Sequence, residues 1–72
     1  MARQRYWYKN DGSIVGFLDH DEKSLFTQAG KYFAFIDNKW IYAVSGDPMG
    51  YIDVDGKSIF SPSGIYLGYF EP

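Results

Sequence analysis

Seventy-two residues without a cysteine make one small domain, residues 1–72, in which disulfides and thiolate metal sites are ruled out. Hydrophobic residues at 46% against 22% charged exclude a disordered chain, and no apolar run approaches the roughly 18 residues that a membrane helix needs. Seven Lys and Arg against nine Asp and Glu leave a net charge of −2, without the clustered positive charge on which nucleic-acid binding rests.

The opening segment, MARQRYWYKNDG, has neither the apolar stretch nor the cleavage site of a secretory signal, which together with the missing cysteines leads to the expectation of a cytoplasmic protein. Arg5-Tyr6-Trp7-Tyr8 predicts a short strand, Gly12 a tight turn, and SIVGFLD, residues 13–19, a longer strand. After the connection DHDEK the same series returns as KSLFTQAGKYFAFID, residues 23–37. The shorter connection DNK leads to KWIYAVSGDPMGYID, residues 39–53, and DVDGK leads to KSIFSPSGIYLGYFE, residues 57–71. The four units, 5–19, 23–37, 39–53 and 57–71, align without gaps. The basic column (Arg5, Lys23, Lys39, Lys57) and the glycine column (Gly12, Gly30, Gly46, Gly64) both step by 18, 16 and 18 residues, as does the acidic column (Asp19, Asp37, Asp53, Glu71). Three columns in register across four copies establish an internal repeat, each unit reading as one β-hairpin.

Strict alternation in the longer strand places Val15, Phe33, Met49 and Leu67 on one face with Phe17, Phe35, Tyr51 and Tyr69. The other face then carries Gly16, Ala34, Gly50 and Gly68, followed by Leu18, Ile36, Ile52 and Phe70. The invariably small column implies that backbone or a ring approaches too closely for a larger side chain. A chain this short needs most of its aromatic residues as core, which leaves few for a site and makes self-association an expected alternative. The last unit has no basic strand after it, and the first has no acidic strand before it. Pairing the N-terminal strand with the C-terminal one closes the array and removes its exposed edges.

The fourfold count and the shared signature, three free positions, Gly, two free positions, an apolar residue, Gly or Ala, an aromatic, an apolar residue and an acid, resemble the bacterial 4-fold beta flower family. The resemblance spans residues 5–71. It implies an all-β fold of four β-hairpins in a closed pseudo-fourfold array, and it implies no activity. An SH3-like barrel is the alternative fold of similar size and aromatic content, and the in-register repeats argue against it.

The acids and bases bracket the connections as Asp19 with Lys23, Asp37 with Lys39, Asp53 with Lys57, and Glu71 with Arg5. Turn chemistry and weak exposed ion pairs are the expected reading. DHDE (Asp19–Glu22) and DVDG (Asp53–Gly56) carry too few ligands for a calcium loop, and His20 is the sole histidine, so no metal and no other cofactor is expected. Ser45, Ser61 and Ser63 have no base placed to activate them, which argues against an enzyme. The informative positions are those where the repeats disagree. One column reads Tyr6, Ser24, Trp40, Ser58 and another Ile14, Tyr32, Pro48, Tyr66. Trp40, Tyr32, Tyr66 and Tyr6 are therefore the candidate surface for a ligand or partner. The expected function is a small non-enzymatic interaction module taking a protein or carbohydrate, the alternative being a structural protein that forms a homo-oligomer through the same rings.

Overall fold

The computed structural model describes residues 4–71. Eight antiparallel strands form a closed barrel in chain order, with no helix among the described residues. They are β1 (Arg5–Lys9), β2 (Ile14–Leu18), β3 (Ser24–Phe26), β4 (Tyr32–Asp37), β5 (Trp40–Ala43), β6 (Pro48–Ile52), β7 (Ser58–Phe60) and β8 (Tyr66–Phe70). Each unit contributes one hairpin, and β8 returns to β1 through Trp7↔Phe70, Tyr8↔Tyr69 and Lys9↔Gly68. The pairing of the first strand with the last is therefore as the columns predicted, and no edge strand is left open.

Every hairpin turns in the same way. Gly12 N–H donates to the Lys9 carbonyl while Lys9 N–H donates to Ser13, and the same pair of bonds recurs at Thr27/Gly30/Lys31, Ala43/Gly46/Asp47 and Ser61/Gly64/Ile65. The four turn glycines have φ between +90° and +99°, the left-handed conformation that ends a three-residue hairpin loop.

Strict alternation fails at one recurring place. Trp7 pairs with Gly16 but Tyr8 with Ile14, so Val15 is an extra residue in its strand. Phe33, Met49 and Leu67 are the extra residues of the other three hairpins. A β-bulge puts two consecutive residues on the side of the sheet where alternation allows one. As a result Val15, Phe33, Met49 and Leu67 pack on the core, while Phe17, Phe35, Tyr51 and Tyr69 lie outside, which corrects the face assignment made from alternation.

The core is three layers of four side chains. At the middle, Trp7, Leu25, Ile41 and Ile59 each stand opposite the small residue of their own hairpin, Gly16, Ala34, Gly50 and Gly68. Leu18, Ile36, Ile52 and Phe70 form the layer toward the connections, and the bulge residues form the layer toward the turns. The small column is small because backbone presses on it. A Cβ at Gly16, Gly50 or Gly68 would collide with the carbonyl oxygen of Phe26, Phe60 or Tyr8 in the neighbouring hairpin. Ala34 lies in the regular four-pair ladder between β4 and β5, joined by the two-residue turn Asn38-Lys39 at φ +52° and +70°.

The expectation that most aromatic residues form the core is overturned. Of the fifteen, Trp7 and Phe70 are buried and Phe33 packs against them, which leaves twelve on the outer wall. Aliphatic residues and the large-opposite-small pairing fill so narrow a barrel, and rings of this size fit only at a few interior positions.

Candidate functional site

The outer rings are ordered by the register. Across each boundary between units an aromatic pair stacks: Tyr8 on Tyr69, Phe17 on Phe26, Phe35 on Tyr42 and Tyr51 on Phe60. Their centroids lie 5.5–5.6 Å apart and their planes 21–25° from parallel. The residues that flank each pair complete a row of four around the barrel. The four rows are Tyr6-Phe17-Phe26-Tyr32, Ser24-Phe35-Tyr42-Pro48, Trp40-Tyr51-Phe60-Tyr66 and Ser58-Tyr69-Tyr8-Ile14.

Two of these rows are aromatic throughout, and they alternate with the other two around the ring. Their four end residues are Tyr6, Tyr32, Trp40 and Tyr66, the same side chains that break the repeat in sequence. The structure thus places Tyr6 and Tyr32 at opposite ends of one row and Trp40 and Tyr66 at opposite ends of the other, with two rings between the members of each pair. Tyr6, Tyr32 and Tyr66 are exposed, and Trp40 is half-buried against Tyr51 at 5.3 Å. Each end ring is turned 51–71° from its neighbour, so it does not share its face with the central stack.

The serines at the equivalent positions have a structural cause. In the connection between β2 and β3, Asp21 Oδ1 accepts the backbone N–H groups of Lys23 and Ser24, and its Oδ2 accepts the Ser24 hydroxyl at 2.7 Å. Asp55 binds Lys57 and Ser58 in the same way between β6 and β7. The serine hydroxyl, followed by the backbone donors, holds each carboxyl down to about 2. The two-residue turn before Trp40 has no room for such a clasp. Before β1, Glu71 takes the clasp's place, its Oε1 accepting Tyr6 N–H while Arg5 Nε donates to the Glu71 carbonyl. Where the clasp needs serine the row ends in serine; elsewhere the position is open to a ring.

The same contacts settle the charged columns. Among the described residues none of the three Asp–Lys pairs closes to within 4 Å; Asp19 meets His20 Nδ1 at 3.2 Å instead. Arg5 is committed to the Glu71 and Gly56 carbonyls and lies over the Phe70 ring, 5.5 Å from its centroid. Of the carboxylates of DHDE and DVDG, Asp21 and Asp55 are engaged in turn bonds and Asp19 meets Gln4 and His20, and no group of three potential metal ligands exists among the described residues. Ser61 bonds Ser63 and Ser45 bonds Asp47, both within their own turns.

Two clefts border the aromatic rows. One, of about 390 Å³, runs along the second hairpin between Tyr32 and Phe35 and is rimmed by Asp21, Lys23, Ser24 and Asp37. The other, of about 400 Å³, opens at the turn end of the barrel beside Tyr66.

A family model described as 4-fold beta flower protein matches residues 23–72. The chain belongs to that family. The match takes in the second, third and fourth hairpins of the beta flower; the first, residues 5–19, joins them through the same turn, bulge and register. Comparison with curated proteins and with solved structures gives no match.

The paired rows were missed in sequence because a row runs across the strands. In the two aromatic rows it links residues 6 to 11 apart whose adjacency depends on the bulge and on which strands neighbour one another. The signal was present in the columns, since Tyr6 and Trp40, like Tyr32 and Tyr66, are separated by 34 residues, two units of the repeat.

Proposed function

We propose that this beta flower is a small non-catalytic binding module that takes a carbohydrate against the ends of its aromatic rows. The observation that carries the reading is the placement of Tyr32. Its exposed ring closes a row of four aromatics and walls a cleft of about 390 Å³ whose other lining combines apolar Phe35 and Ile36 with polar Ser24 and charged Asp21, Lys23 and Asp37. Sugars offer apolar ring faces and hydroxyl edges, and an aromatic wall beside exposed carboxylate and ammonium groups meets both. A dry protein contact would favour a lining with fewer charges. The serines held within turns and the single, exposed His20 favour a non-catalytic role. A cytoplasmic site of action is part of the same reading, on the absence of cysteine.

Homo-oligomerisation through the rows is the second reading, favoured by the occurrence of two such rows 34 residues apart in one chain. An oligosaccharide array, read alongside light scattering, separates the two. The expected result is a monomer that binds a subset of glycans, with Tyr32→Ser abolishing that binding and leaving the melting temperature within a few degrees. An array with no binding, together with an oligomer that Trp40→Ser dissociates, overturns the carbohydrate reading in favour of assembly.

A further inference from the structure

The turn-end cleft is built differently from the groove on the second hairpin. Three of its walls, Val15, Met49 and Leu67, are bulge residues of the core layer nearest the turns, so the cleft is the mouth of the barrel itself. Trp7 forms a further wall, and Phe33, the fourth bulge residue, stacks on Trp7 with 6.4 Å between centroids. Its volume of about 400 Å³ suits a small ligand, and barrel mouths are a common place for one.

Two observations define the ligand's polar end. Trp7 is only 4% exposed, and its Nε1 is a buried side-chain polar atom without a hydrogen-bond partner among the described residues. A buried indole N–H normally finds an acceptor, because leaving it unpaired costs about 1–3 kcal/mol. The second is charge. Lys9 lies two residues further along β1, on the same face of the strand as Trp7, and with Asn10 it supplies the polar part of the rim. The remaining lining, Val15, Met49, Leu67 and Tyr66, is apolar or aromatic, and Ile65 next to it is 66% exposed.

We propose that the barrel mouth is a binding site for a small apolar carboxylate. The apolar body lies against Val15, Met49 and Leu67. One carboxylate oxygen accepts the Trp7 indole N–H and the other pairs with the Lys9 ammonium, a charge-assisted contact in a partly dry site. A carboxylate is the smallest common group that gives both donors an acceptor and neutralises the cation. The site is separate from the groove at Tyr32, and either can fail without the other.

The test is a titration of the full chain with octanoate, 1-octanol and octylammonium, followed by NMR on the two indole N–H signals, Trp7 and Trp40. Saturable displacement of the Trp7 signal by octanoate is expected, with octanol weaker and octylammonium weakest. Lys9→Gln, a change at an exposed side chain, is expected to weaken octanoate about tenfold, the loss of one hydrogen bond to a charged group, and to leave octanol unchanged. Equal binding of all three compounds, no saturable Trp7 shift, octanoate binding that Lys9→Gln leaves intact, or a response confined to Trp40 would each overturn the proposal. The last of these would place apolar binding on the outer rows instead.

Discussion

At the scale of single residues, the two glycine columns of the repeat make two different physical demands. Gly46 is open on its side-chain face, and its demand is conformational, with φ at +99°. Gly50 has ordinary strand geometry, and its demand is steric, because the Phe60 carbonyl oxygen occupies the space of a Cβ. Backbone atoms cannot rotate away as a side-chain tip can, so the strand must shift. Gly50→Ala is therefore expected to cost about 2 kcal/mol, in the range of core overpacking, and to lower Tm by roughly 10 °C. Gly46→Ala is expected to cost about 1 kcal/mol, from its left-handed backbone alone. Thermal unfolding of the two variants checks the order, and a Gly50→Ala protein as stable as the parent would refute the close approach. The requirement for a small residue was legible in the four-copy column. The source of the pressure was not, because it comes from a strand of the next hairpin.

At the scale of elements, the connections carry information that the strands do not. Asp21 and Asp55 each hold two backbone N–H groups and a serine hydroxyl, which lowers both carboxyls from 3.8 to about 2. A carboxyl whose pKa is depressed on folding stabilises the fold above its unfolded value, and that stabilisation is lost as pH falls through the folded value. Tm is accordingly expected to be insensitive to these groups above about pH 4 and to fall between pH 4 and 2. In an Asp21→Asn, Asp55→Asn double variant the Tm at neutral pH is expected to be lower and the acid slope flatter. An unchanged slope in that variant would assign the acid sensitivity to other carboxylates. Much of the element scale was readable from the chain, including the four hairpins, the turn glycines and the boundary between short and long connections. The bulge was not. Val15, Phe33, Met49 and Leu67 are as apolar as residues on a buried face should be, and so are Phe17, Phe35, Tyr51 and Tyr69, so no polar residue marked the break in alternation. With the bulge hidden, the aromatic rows could not be assembled, and Tyr6, Tyr32, Trp40 and Tyr66 stood as departures in two columns rather than as two pairs of row ends.

At the scale of the whole molecule, closure makes each hairpin depend on both of its neighbours, and the seam between β8 and β1 is the one boundary without a covalent connection. Its strength comes from three strand pairs, the Tyr8–Tyr69 stack at 5.5 Å and the bonds of Glu71 to Tyr6 and Arg5. It also holds Trp7 and Phe70, the buried rings of the core, 6.0 Å apart. Removing residues 1–8 deletes most of β1, leaves β2 and β8 as open edges and empties the space of Trp7. Each of these alone is a serious loss in a domain of 72 residues, and together they exceed the stability such domains possess. The truncated chain is expected to be unfolded or aggregated, without the cooperative thermal transition of the full chain. Supplying residues 1–10 as a separate peptide tests the same point from the other side. If closure is what the segment provides, the peptide restores the transition in a concentration-dependent way. A truncated chain that melts cooperatively at the parent's temperature would show that three hairpins and β2 are sufficient, and that the closed barrel is not the unit of stability.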